Sequence, residues 1–448
     1  MKKTLLISVV ASTMIMAGGD IAPVEPVIVE EVSAWEFGGD LVAFTQTRDN
    51  FTTTGNVPNT LLGSSSDLFG GNETSGLVGL SLRAANRDVF AGIGFGAELS
   101  TLGNGYNNGY SNSNFGLQDG NAITQGYLTY GIDAIDTSLK VGRQHLPKSL
   151  SPFAFTEGWQ AIKNSFDAAL VVNSSLPNTT LVYAYVAKAN RSVNDINDFS
   201  NIGVFGDAVD AEDGVHMVTA QNKSFDSLTL TGTWYIAPNM TKDAPILNGG
   251  DVNILWGDIA YAGESFGAAV QGGQVSPDGR GLDNTTAWGA KITGNLSMFS
   301  LLAAYSSVDD GTVNIENLGT NVKTPLYTQA IANQNVIKRD SNSLKLAAGM
   351  KALGGKFGLA YMYSDLDDTA LASTFTVGGP RGGSGSYSEV DVSYKTKVGE
   401  DLTLFAAYVY QQDKRDILVD PATLTPIPFS KKSETQNFVR FWARYNFN

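Results

Sequence analysis

The 448-residue chain is 17% charged and 42% hydrophobic, with a mean hydropathy of −0.07, no cysteine and a formal charge of −14. No apolar run long enough for a membrane helix follows the N-terminal leader, which excludes a helical membrane protein. The missing cysteines exclude thiol catalysis, thiolate metal sites and iron–sulfur clusters, and the acidic balance argues against nucleic acid, which needs a basic surface.

Residues 1–19 read as a signal peptide. Lys2 and Lys3 form a positive start, Leu5 to Ala17 an apolar stretch too short to cross a bilayer, and Ala17-Gly18-Gly19 a small-residue cleavage site before Asp20. Its removal leaves 28 Lys+Arg against 44 Asp+Glu, or −16. Residues 20–34, with Pro23 and Pro26, are expected to form a short periplasmic arm.

From residue 35 to 448, segments of roughly ten alternating residues recur, the length a tilted strand needs to cross a membrane. They fall near 35–46, 76–84, 89–99, 122–131, 137–144, 167–174, 180–188, 214–221, 228–237, 252–262, 266–275, 285–293, 298–307, 343–352, 356–364, 387–396, 402–411 and 435–447. In 402–410, for example, Leu402, Leu404, Ala406, Tyr408 and Tyr410 share one face, and no helical period competes. Connections alternate between short ones, such as Ala85–Asp88 and Leu353-Gly354-Gly355, and long ones, such as 47–75, 189–213 and 308–342. The expected fold is therefore all-β: a transmembrane antiparallel up-and-down β-barrel of about 18 strands, with short periplasmic turns and long external loops.

A charge on the lipid side of such a strand costs roughly 2–4 kcal/mol at the midplane, so charges belong on the lumen phase. That phase holds Glu36, Asp40, Arg83, Glu98, Lys140, Lys188, His216, Asp258, Lys291, Lys345, Lys351, Glu389, Asp391, Lys395, Arg440 and Arg444. Arg143 alone is out of phase, where a bulge or a headgroup-level position is expected. Aromatics gather on the lipid phase at strand ends (Trp35, Phe37, Tyr261, Phe357, Tyr363, Tyr408, Tyr410, Tyr445, Phe447), as in an interfacial girdle. Closure requires the first strand to pair antiparallel with the last. A constant index sum of 480 would pair Glu36 with Arg444 and Asp40 with Arg440 along the seam, although any two runs with charges four apart would match.

The last residues, Phe438 to Asn448, alternate with aromatics and look like the C-terminal strand of bacterial outer-membrane proteins, here with Phe447 penultimate. With the leader and the stretch Val141-Gly142-Arg143-Gln144 to Phe155, the chain resembles the major outer-membrane porins of epsilon-class proteobacteria, related to the OprD porin family. The resemblance implies an 18-stranded barrel, a homotrimer, and a third external loop folded inward to narrow the pore. By count that loop is 145–166. It carries bulky apolar residues within Leu-Pro-Lys, Ser-Pro-Phe-Ala-Phe and Glu157-Gly158-Trp159, which suits packing inside something better than exposure to water. Its Lys148, Glu157 and Lys163, with Asp167, are expected to face a basic wall of Arg83, Lys140, Arg440 and Arg444, since opposed charge rings set ion preference. The alternative for each is ordinary solvated charge.

The expected function is passive diffusion of ions and small hydrophilic solutes, with outer-membrane lipid and lipopolysaccharide as neighbours and a lean toward cations from the acidic balance. No cofactor is expected. Acid clusters (Asp195, Asp198; Asp207, Asp210, Glu212, Asp213; Asp309, Asp310) offer oxygen ligands for a divalent cation but match no EF-hand spacing. A surface adhesin barrel is the alternative. A barrel hydrolase using His145 or His216 lacks any supporting motif.

Overall fold

The computed structural model describes residues 35–49, 51–53, 67–69, 74–107, 120–190, 196–204, 209–211, 213–239, 250–279, 281–370, 384–415, 418–419, 426–427 and 432–447. The expected signal peptide (1–19) and the arm (20–34) lie outside them. Eighteen long strands follow one another: β1 Glu36–Arg48, β2 Thr74–Phe90, β3 Ile93–Asn107, β4 Gly120–Ile132, β5 Thr137–Gln144, β6 Phe166–Asn173, β7 Thr179–Asn190, β8 Val215–Asn222 and β9 Leu228–Ala237 in the first half. The second half holds β10 Val252–Ala262, β11 Phe266–Pro277, β12 Thr285–Leu296, β13 Phe299–Val308, β14 Ser341–Ala352, β15 Gly355–Leu366, β16 Gly385–Val398, β17 Leu402–Arg415 and β18 Lys432–Phe447.

Each strand pairs antiparallel with its neighbours in sequence, and β1 pairs with both β2 and β18. No edge of the long strands is left open, the condition for backbone polar groups to sit in hydrocarbon. β15 shows why the sequence forms these strands. Leu359, Tyr361 and Tyr363 are 53%, 43% and 39% exposed, while the alternate Ala360, Met362 and Ser364 are buried. One phase meets the outside and the other the interior, so a strand is stable in only one phase. Exposed Leu, Ile, Val and Trp side chains recur around the outer face, and the expected girdle residues Trp35, Phe37, Tyr261, Tyr363, Tyr408 and Tyr445 are among the exposed aromatics.

Short and long connections alternate as expected. One strand start is corrected. The sequence put a turn at Ala85–Asp88 and a strand at 89–99, whereas β2 runs on to Phe90 and turns at Ala91-Gly92. Both turn residues have positive φ (52° and 81°), the two-residue hairpin geometry whose twist matches the flanking strands, and the Asp88 carboxylate accepts from the Gly92 N–H at 2.9 Å.

Much of the buried apolar surface belongs to two connections. In segment 145–165, Leu146, Phe153, Ala154, Ala161 and Ile162 are buried; in segment 309–340, Val313, Ile315, Leu318, Leu326, Val336 and Ile337 are buried too. Both pack against the interior phase of the strands. The Phe153 ring meets Tyr235 of β9 edge-on at 5.9 Å and Trp256 of β10 at 5.2 Å. The sequence pattern marks 308–342 only as a long external connection carrying the Asp309–Asp310 pair.

Candidate functional site

The site begins at the seam. β1 and β18 pair with Asp40 opposite Asn446, Val42 opposite Arg444 and Gln46 opposite Arg440. This corrects the expected Glu36–Arg444 and Asp40–Arg440 pairs. The reason is local: Gly39 lies opposite Phe447, and a Cβ there would come within 2.6 Å of the Phe447 ring and 2.2 Å of the Ser81 carbonyl. The glycine makes room for the penultimate aromatic and fixes the pairing six positions away from the charge-matched one. Asp40 then reaches Arg444 diagonally at 3.1 Å and Arg83 of β2 at 3.3 Å, and Arg83 also lies 3.5 Å from Glu98 of β3.

Two residues expected on the basic wall, Arg440 and Arg444, each hold a carbonyl of segment 145–165. Arg440 is buried, donates through Nε to the Gln46 side-chain oxygen at 3.1 Å, and donates through a terminal nitrogen to the Trp159 carbonyl at 2.8 Å. Arg444 donates to the Ala161 carbonyl at 2.6 Å. Lys140 lies over the Tyr127 ring at 3.7 Å. Lys163 is half-buried within the same segment.

Glu157 and Lys148 tie the two segments together. The Glu157 carboxylate accepts from the Asn317 amide at 2.7 Å, the Thr320 hydroxyl at 2.5 Å and the Lys323 backbone N–H at 3.2 Å. Lys148 donates to the Thr324 carbonyl at 2.7 Å. Burial lowers its ammonium to about 7, with nearby Lys291, Lys323 and Lys345 pushing the same way against Glu157. Burial likewise lowers Lys323 to about 8. His145, buried near Lys163, Lys140 and Arg83, is lowered to about 3 and carries no charge at neutral pH.

Segment 309–340 is bound in turn to the wall. The Ala332 N–H donates to Glu389 at 2.8 Å and the Ile331 N–H to Asp391 at 3.2 Å, both on β16. Across the barrel, the Tyr327 hydroxyl donates to Asp258 of β10, and Lys291 of β12 sits 4.2 Å from the Tyr327 ring centroid. Lys345 of β14 donates to the Gln329 carbonyl. The sequence placed these charges on the lumen phase without assigning them a site. The missing signal was the apolar content of 309–340, the same argument that singled out 145–166.

Three expected lumen positions face outward instead. His216 shares the phase of the exposed Val218, and its Nδ1 pairs with the Tyr183 hydroxyl at 2.9 Å. Lys188 is turned outward by an extra residue, Ala187, in the β6–β7 pairing. Asp167 does not face the basic wall. It holds Arg143 in a two-pronged ion pair of 2.7 and 2.9 Å, which is how the one out-of-phase arginine is accommodated. The bulge expected near it occurs in the neighbouring β4, at Thr124.

Of the two histidines named for the hydrolase alternative, His216 pairs with the Tyr183 hydroxyl and lies against the Tyr185 ring, and the buried His145 Nε2 has no hydrogen-bond partner. Among the described residues, no group of three or more His, Asp or Glu side chains could hold a metal. Asp309 serves as a turn acceptor for the Thr286 N–H at 2.8 Å, while Asp195, Asp207 and Glu212 lie outside the described residues.

Fold and site together define a closed, 18-stranded antiparallel β-barrel whose charged interior residues hold segments 145–165 and 309–340. Its fold is similar to that of Pseudomonas aeruginosa OccK1 (OpdK), at a TM-score of 0.65 and 12% identity over 92% of this chain and 99% of that one. It is similar to OccK3 (OpdO) of the same organism at 0.64 and 13%, over 92% and 95% of the two chains. A TM-score of 0.64 and 12% identity relate it to OccK8 (OprE), over 92% and 98%. No family model matches the chain, and no curated protein matches it by sequence.

Proposed function

We propose that this protein is an outer-membrane porin that lets ions and small hydrophilic solutes diffuse passively through a water-filled lumen narrowed by segments 145–165 and 309–340. The observation that carries the reading is the pairing of an apolar outer face with an interior of opposed charges: Arg83, Lys140, Arg444, Lys291 and Lys345 against Asp40, Glu98, Asp258, Glu389 and Asp391. Such opposition concentrates ions and orients dipolar solutes at a constriction. The shared fold with the OccK barrels, which are outer-membrane porins, supports it and fits a relation to the OprD family. The resemblance of Val141 to Phe155 supports the finer placement among epsilon-class porins.

The barrel class supports an outer-membrane location; long connections outside, the N-terminal arm in the periplasm and a homotrimer are the proposed orientation and assembly. Cation preference is proposed because Arg440 and Arg444 are engaged by Gln46, Asp40 and loop carbonyls. Planar-bilayer recordings in a salt gradient test pore and selectivity together. Stepwise conductance with a cation-selective reversal potential is expected. Purified, folded protein that leaves membranes tight to ions and small sugars would overturn the porin reading.

A further inference from the structure

The outer face of β2–β4 carries a groove at its external end. Leu80, Leu82, Leu99 and Ile123 line it, the last three being 48%, 55% and 52% exposed. The bulge at Thr124 bends β4 and brings Ile123 opposite Leu99. Toward the long connections the lining turns polar. Thr101 donates its hydroxyl to the Asn121 carbonyl oxygen at 2.6 Å, which leaves the Asn121 amide nitrogen as a donor, and Asn197 supplies the lip.

The polar end continues sideways into a charged rim. Arg143 donates to the carbonyl of Ile123, a residue that lines the groove, at 3.0 Å. Arg143 stands opposite Asp167, and Asp167 opposite the exposed Lys188. With Arg143 and Asp167 paired, Lys188 is the rim's remaining exposed cation, while the exposed Asp198 follows Asn197 at the lip. At the usual strand spacing these three positions span about 10 Å.

We propose that this groove is a binding site for a phosphorylated, multiply acylated glucosamine lipid of the outer leaflet, the lipid A class. It rests on the outer-membrane reading above. An acyl chain lies along Leu80, Leu82, Leu99 and Ile123. The sugar hydroxyls meet Thr101 and Asn121, and a phosphate meets the rim at Lys188. Three features select this occupant. The groove is on the phase that hydrocarbon covers, its polar end lies at the external side, and its donors extend over several strands. A glycerophospholipid headgroup is too small to use donors spread that widely, whereas a disaccharide with separated phosphates can.

The test uses purified, delipidated full-length barrel incubated with defined lipid A or with phosphatidylglycerol, and retained lipid is counted by native mass spectrometry. Wild type is expected to keep one lipid A in preference to phosphatidylglycerol. Filling the groove (Leu99→Trp with Ile123→Trp) or reversing the rim charge (Lys188→Glu) is expected to cut retention at least tenfold. Both variants should keep the slow mobility shift on heating of a folded barrel, and both should conduct as wild type does, since the changes lie outside the lumen. Equal retention by the folded variants, indifference between the two lipids, or a second protein copy on this face would each overturn the proposal. Loss of conductance in every form, with lipid retention intact, would instead sink the porin reading.

Discussion

Arg440, on the strand that closes the barrel, holds Trp159 twice: one terminal nitrogen donates to its carbonyl at 2.8 Å, and the guanidinium carbon lies 4.0 Å from its ring centroid. The contact links residues 281 positions apart and fastens segment 145–165 to the seam. A planar guanidinium is suited to this double role, because it can stack on an aromatic face while its edge donates.

Arg440→Met keeps the bulk and removes the donors. A hydrogen bond to a charged group contributes about 1.5–3 kcal/mol, so the segment should release from the seam for an appreciable fraction of the time. Single-channel records should show larger mean conductance and added current noise. Unchanged records would mean the contact does not position the segment.

Glu157→Gln removes the charge that gathers Asn317, Thr320 and the Lys323 amide. A loss of about 1.5–3 kcal/mol corresponds to roughly 10- to 150-fold faster local opening. Hydrogen exchange of the peptide covering 317–323 should accelerate by that order, with β10 and β16 unaffected.

Lys148 gives a pH dependence with a definite sign. Its ammonium is held down to about 7 by burial, so it is charged below that pH and neutral above it. In the unfolded chain a lysine stays protonated to about 10.4. The unfolded state therefore binds more protons between these values, and stability rises with pH across that window. In the channel, raising pH from 6 to 8.5 removes a positive charge, and the reversal potential should move toward stronger cation selectivity. Lys148→Met should lose the part of the shift centred near pH 7 and keep the part near pH 8 that Lys323 contributes.

The seam register is open to a chemical test because the chain has no cysteine of its own. Ala43 and Ala443 are directly opposite on β1 and β18. Cross-strand Cα separations of about 4.5–5.5 Å suit a disulfide. Ala43→Cys with Ala443→Cys should form one on oxidation, whereas Ala43→Cys with Asn437→Cys, the pairing expected from the 480 sum, should not.

The outer phase can be tested at Leu255, which is 65% exposed on β10. Leu255→Arg should cost roughly 2–4 kcal/mol if the site lies near the bilayer midplane, and folded barrel should fall accordingly in refolding titrations. A neutral outcome would argue that this face does not meet lipid.

Particular residues show how far the sequence could be read. Leu359, Tyr361 and Tyr363 announce their face because period two is a local property of the chain, and strand number followed from repeating it. Lys188 was misplaced because a single extra residue, Ala187, inverts the phase beyond it without leaving a mark in composition, and His216 and Asp167 because the interior phase of their strands (Val215, Met217; Phe166, Ala168) is itself apolar, so polarity does not separate inside from outside. The seam pairs failed because charges four apart fit several registers equally well. Gly39 beside the Phe447 ring decides among them, and that is visible only once the two strands touch.

By itself, then, the sequence determined the class of molecule: alternation fixes which side chains must meet hydrocarbon, and its length and repetition fix a closed sheet. Only the tertiary structure decided what crosses the interior, because the partners of Arg440, Glu157, Asp258 and Glu389 come from segments far apart in the chain. Contacts of that kind depend on closure bringing opposite walls within reach, which no local pattern encodes.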